Sequence, residues 1–242
     1  MAFLGIFGKK SEGGPLRKHA ERVANKRAQA YDRWESIQAL AQLHTREAVE
    51  ALLPRFTFYV EPSITDQEEK DAAFAGIVEA GSAGVEPIVA FLQRADSISW
   101  PLKMLDKIVE PEAAVGYLLE LLNGMDIEYA RDTESKIQIL STLAERKDPR
   151  VSDAVVRFVG DTNESARFAA VGAIIGQDAV AAHRTALVNT VIVEDSVRVR
   201  NRVFEALANA GLGVEPEQER VRARLTPNYT LDAKHVPRKK SQ

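Results

Sequence analysis

An apolar pair at positions i and i+3 recurs six times along the chain: Ile37 with Leu40, Phe74 with Ile77, Leu105 with Ile108, Leu140 with Leu143, Val171 with Ile174, and Phe204 with Leu207. Successive pairs are 37, 31, 35, 31 and 33 residues apart, and each lies on a helical pattern that a second helical pattern follows. A period of this length marks stacked helix pairs, each too small to bury its own apolar face and able to do so only against its neighbours. The spacing predicts an all-α fold, an α-solenoid of about six helix pairs, read as one array over residues 16–225. Residues 1–15 stand before it as an apolar-basic peptide, and 226–242 follow it as a basic tail, expected to be loose.

Burial in such an array must rest on Leu, Val, Ile and Ala, because aromatics make up only 7% of the chain. With no cysteine, disulfides, thiolate metal sites and a cysteine nucleophile are all excluded, which suits a reducing cytoplasm. The net charge of −3 hides a division. Residues 1–30 carry +5 and residues 226–242 carry +3, so the 195 residues between them carry −11. A body of that sign repels phosphate at long range and argues against nucleic acid as the ligand of the whole array.

Along the chain, one continuous helix is expected from Leu16 to about Leu43, with Trp34, Ile37 and Leu40 on its buried face. Thr45 is a good N-cap for the second helix of repeat one, which carries Val49, Leu52 and Leu53 until Pro54 ends its regular pattern. Phe56 to Gln67 then interrupts the helical pattern with alternating β-favouring residues, and repeat two is expected from Gln67 to Gln93, with Gly81 and Gly84 between its helices. Three second helices are expected to open on proline, at Glu110-Pro111, Asp148-Pro149 and Glu215-Pro216, where proline suits the first turn and the carboxylate favours the positive end of the dipole.

The stretch Asp148-Pro-Arg-Val-Ser-Asp-Ala-Val-Val-Arg-Phe-Val-Gly-Asp-Thr-Asn-Glu-Ser-Ala-Arg-Phe-Ala-Ala-Val-Gly-Ala-Ile174 resembles bacterial HEAT-repeat proteins, in particular the short HEAT-like units related to those of phycobilisome lyases. It has that family's order of turn, inner helix, Asp-containing loop and Ala-rich outer helix. The resemblance covers about residues 30–225 and is looser in repeats two and three. It implies a right-handed superhelix with a concave layer formed by the second helices. It does not imply one activity, since such arrays serve mostly as scaffolds and adaptors.

Three places stand out as candidate contacts, and a fourth as a cluster of carboxylates. Phe3, Leu4, Ile6 and Phe7 followed by Lys9 and Lys10 could dock on a partner or on an anionic membrane surface, giving reversible attachment only. Phe56, Phe58 and Tyr59 sit on the one long connection of a regular scaffold, where binding often resides. Arg157, Arg184, Arg198, Arg200, Arg202, Arg220, Arg222 and Arg224 form the only concentrated basic region outside the ends, able to meet an acidic partner. Asp66, Glu68, Glu69 and Asp71 read as dipole-compensating residues at a helix start rather than as a catalytic pair.

The histidines at 19, 44, 183 and 235 are scattered, and neither a phosphate loop nor a serine elbow is present. The expectation is a non-enzymatic, cytoplasmic protein-binding scaffold or adaptor that needs no metal or cofactor and is tethered at the inner membrane or to a second protein by its N-terminal peptide. The alternatives are a chromophore lyase-like enzyme and a DNA-binding helical-repeat protein.

Overall fold

A computed structural model describes residues 14–95, 97–128 and 133–240. These are mostly helical, with thirteen α-helices and one two-stranded sheet among them. The chain divides into two compact units, Met1–Ala95 with Ser99–Glu110, and Asp96–Ile98 with Pro111–Gln242.

The first unit contains α1 (Gly14–Val23), α2 (Ala30–Ala41), α3 (Arg46–Leu52), α4 (Ser63–Glu79), α5 (Val85–Leu92) and α6 (Ser99–Ile108). Here α2 packs on α4 and α4 on α6, while α1 packs on α3 and α3 on α5. The helices that carry the apolar pairs thus form one layer, and the others form a second.

The same order returns in the second unit, built from α7 (Pro111–Asn123), α8 (Thr133–Ala144), α9 (Val151–Val155), α10 (Glu164–Gly176), α11 (Arg184–Val193), α12 (Val197–Asn209) and α13 (Gln218–Arg222). In it α8 packs on α10 and α10 on α12, with α7 against α9 and α11 against α13.

All six apolar pairs fall on the first layers, on α2, α4, α6, α8, α10 and α12, and ten of the twelve residues are buried. Phe74 and Ile108 are half-buried. Trp34 departs from the expectation: it is 40% exposed, one position off the stripe that Arg33, Ile37 and Leu40 bury.

Helix starts follow side-chain chemistry. Thr45 accepts from the Ala48 N–H, Asn163 from those of Ser165 and Ala166, and Ser196 from that of Val199, each satisfying donors the first turn leaves open. Pro111 opens α7 as expected. The other two prolines do not open helices: α9 begins at Val151 and α13 at Gln218, so Pro149 and Pro216 lie in the preceding turns. Gly81 adopts the left-handed region with φ 56° at the α4–α5 corner, whereas Gly84 does not.

Three further expectations are corrected. The single helix over Leu16–Leu43 is broken between Val23 and Ala30. The Asn25 side chain accepts from the Arg27 N–H at 2.9 Å, a local bond that competes with helix, and the Arg33 guanidinium fixes the turn by donating to the Ala28 carbonyl at 2.8 Å. The Phe56–Gln67 segment holds no strand. It is a 3-10 turn (Leu53–Thr57), an extended link, and the start of α4 at Ser63, ahead of Gln67.

Residues 226–240 are not a loose tail. β1 (Tyr229–Leu231) and β2 (Pro237–Lys239) pair antiparallel and lie on α12, burying Tyr229 and Val236, with the Tyr229 ring 5.3 Å from that of Phe204. The basic Arg238, Lys239 and Lys240 are exposed at the end of the hairpin, while Tyr229, Val236 and Pro237 are buried.

Among the described residues no single helix is long and apolar enough to cross a membrane.

Candidate functional site

A cation stands four residues before the first member, the anchor, of five of the six apolar pairs: Arg33, Lys70, Lys136, Arg167 and Arg200. One turn of helix separates each from its anchor, so the charge is carried into the layer beside an apolar residue. Arg33 of α2 grips Glu69 of α4 through two bonds of 2.7 and 2.8 Å, Lys136 grips Asp161 at 2.6 Å, and Arg167 grips Glu194 at 2.6 and 2.8 Å.

Each of these cations also donates to a carbonyl ahead of its own helix, on Ala28, Asp126 and Asp161 respectively, as Arg200 does to Glu194. Asp161 and Glu194 in turn accept the N–H of the capping residue two positions on, Asn163 and Ser196. These joints link α2 to α4, α8 to the turn ahead of α10, and α10 to the turn ahead of α12, and a buried ion pair of this kind adds little net stability because desolvation offsets its attraction. In the sequence their one signal is the four-residue spacing to the apolar pair; their acidic partners lie 25 to 36 residues away.

Burial by itself opposes ionisation of Glu194, but the bonds from Arg167 and the Ser196 N–H outweigh it and hold its carboxyl below the usual range. Asp66 is held low in the same manner: burial works against the charge, and bonds from Lys70, Arg55 and the Val60 N–H prevail. Arg55 is fully buried and joins Asp66 at 2.7 Å and Glu69 at 2.6 Å. The carboxylates of the α4 start are therefore divided, Asp66 and Glu69 buried in a charge network while Glu68 and Asp71 are exposed.

On the long connection, Phe56 is half-buried with its ring 4.9 Å from that of Trp100, and Phe58 lies 4.8 Å from the Arg55 guanidinium. Tyr59 is 45% exposed and borders a groove of about 530 Å³ with Lys26 and Arg27. Phe3, Leu4, Ile6, Phe7, Lys9 and Lys10 lie outside the described residues.

The later arginines do not form one basic face. Arg157 donates to the carbonyls of Leu122, Asn123 and Met125 and so caps α7. Arg184 donates to the carbonyls of Gly213 and Glu215, and Arg224 to the Glu194 carbonyl and the Asp195 carboxylate. Arg220 and Arg222 pair on the surface with Glu217, the residue before α13, and with Glu219 of α13.

Arg198 and Arg202 are set apart from these. One turn apart on α12, they place their guanidinium carbons 4.2 and 4.0 Å from the centroid of the Phe168 ring on α10. They line a cavity of about 950 Å³ between α10, α12 and the terminal hairpin, with Ile175, Ala206, Tyr229 and Lys239. Arg198 is committed to Glu164 at 3.0 and 2.9 Å, while Arg202 makes no hydrogen bond or ion pair with any described residue.

No group of three or more His, Asp or Glu side chains that could hold a metal ion occurs among the described residues. No protein-family model and no curated protein matches the chain.

Proposed function

We propose that the chain is a non-enzymatic protein-binding scaffold or adaptor built on HEAT-like helix pairs, arranged as a continuous right-handed α-solenoid. One observation carries this reading: all six apolar pairs, found from their period, lie on alternate helices that pack on one another as a separate layer within each unit. A stack of this kind buries its seam between repeats and leaves broad outer faces, which suit a macromolecular partner better than a small substrate. The partner is another protein, held on the second-helix layer with Tyr59 at its border. The N-terminal peptide, with Phe3 to Lys10, tethers the complex reversibly to an anionic membrane surface or to a second protein, on the cytoplasmic side.

Three measurements test the parts separately. Small-angle scattering is expected to show an elongated particle, and a profile of a compact sphere overturns the solenoid. Affinity capture on immobilised full chain, followed by reconstitution with the purified captured protein, is expected to give saturable stoichiometric binding. If no captured protein rebinds when purified, the scaffold reading fails. Co-sedimentation with anionic vesicles is expected for the full chain and not for a chain lacking residues 1–10, and equal behaviour of the two removes the lipid tether.

A further inference from the structure

We infer that the cavity between α10, α12 and the terminal hairpin is a binding site for a small organic monoanion, a carboxylate or sulfonate on an apolar body, with Arg202 as its counter-ion. The inference stands apart from the protein-binding reading and needs only the second unit. Its starting point is an imbalance of charge. Nearly every other arginine of the second unit's later helices is matched by a carboxylate or by helix-end carbonyls, whereas Arg202 has no such match among the described residues.

Its guanidinium is pushed below its ordinary pKa, first by burial and then by the positive charge of Arg198, against a smaller opposing effect of Glu205. A half-buried cation beside a like charge and without a carboxylate of its own is suited to receive an anion, because a carboxylate or sulfonate placed there offsets the repulsion with geometry that suits the guanidinium fork.

The surroundings hold this side chain in place. A methyl group on Gly172 of α10 would fall 2.4 Å from Nη2 of Arg202, so the bare glycine supplies the recess in which the guanidinium rests. Phe168 provides a π face 4.0 Å from it. The rest of the lining includes Ile175, Val180, Ala206 and Tyr229, which offer an apolar bed. A volume of about 950 Å³ falls in the range of sites for small organic ligands. Glu205 and Asp178 on the same lining disfavour a ligand of higher negative charge, since only Arg202 and Lys239 are left to meet it.

The test uses the full chain and two fluorescent probes of like shape, 8-anilinonaphthalene-1-sulfonate, which carries one negative charge, and N-phenyl-1-naphthylamine, which carries none. Wild type is expected to bind the sulfonate at one saturable site. Arg202→Met is expected to weaken that binding by about tenfold or more while leaving the neutral probe unaffected, the loss expected of one charge-assisted contact.

Gly172→Ala keeps every charge but displaces the guanidinium. It is expected to weaken sulfonate binding as well, with a melting temperature equal to or above that of wild type, because alanine favours helix and the atom it meets is the movable end of a side chain. Arg220→Met, on the surface elsewhere, is expected to bind as wild type does. Equal sulfonate affinity in wild type and both variants overturns the site. So does a parallel loss of the neutral probe, which would mark a general apolar surface, and so does the absence of saturable binding to wild type. If Arg202→Met fails to fold, Gly172→Ala decides alone.

Discussion

Gly176, the last residue of α10, lies so close to Ala144, the last residue of α8, that a Cβ built on the glycine would fall 2.0 Å from the alanine's carbonyl oxygen. A second close approach, in the first unit, joins Gly76 within α4 to Ala41, the last residue of α2, with a built Cβ 2.4 Å from the alanine Cβ and 2.7 Å from its Cα. In both cases the obstacle includes backbone, which cannot rotate aside. Gly176→Ala is therefore expected to cost about 1–3 kcal/mol despite the better helix propensity of alanine, read as a lower urea midpoint with unchanged slope. The same substitution at Gly172, one turn earlier on α10, meets only a flexible guanidinium and is expected to show no such cost.

The Arg167–Glu194 joint is expected to respond asymmetrically to mutation. Glu194→Ala strands a mostly buried arginine and should cost about 3–5 kcal/mol, whereas Arg167→Met combined with Glu194→Leu should cost far less. A double-mutant cycle by urea denaturation separates the two outcomes, and a double variant as unstable as Glu194→Ala would contradict the account.

Acid should loosen the protein through Glu194 and Asp66. Both carboxyls ionise more readily in the folded chain than in the unfolded one, so their contribution to stability is present above the unfolded values of about 4.3 and 3.9 and is lost as pH falls through the lower folded values. The urea midpoint should accordingly be flat near neutrality and fall below about pH 4, and Glu194→Gln should make that fall shallower.

Asn163 caps α10 by accepting two backbone N–H groups, at 2.9 and 3.1 Å. Asn163→Ala is expected to lower stability by about 1 kcal/mol, and Asn163→Asp or Asn163→Ser to restore most of it, as measured by thermal melting.

The layers were legible in the sequence because the i, i+3 pairs express a periodicity intrinsic to the helix, which no distant contact needs to supply. Caps such as Thr45 were legible for the same local reason. What escaped depends on partners remote in the chain. Lys136 and Asp161 are 25 residues apart and Arg33 and Glu69 are 36, so each looks like a solvated charge until the fold brings its partner.

The hairpin escaped because two strands of three residues each are too short to show a period that outweighs a basic composition. Of the arginine group, sequence could mark the cluster but not tell cap from vacancy. The distinction between Arg157, which closes the end of α7, and Arg202, which has nothing to close, is set entirely by the neighbouring helix.

In each of these three ion pairs the cation comes from the earlier stretch of chain and the acid from the later one, as plug and socket. Such a fastening has polarity. Reversing either partner would set plug against plug and leave a socket empty. Where it occurs, the lock therefore runs in the same direction as the covalent thread and accepts its key from one side only.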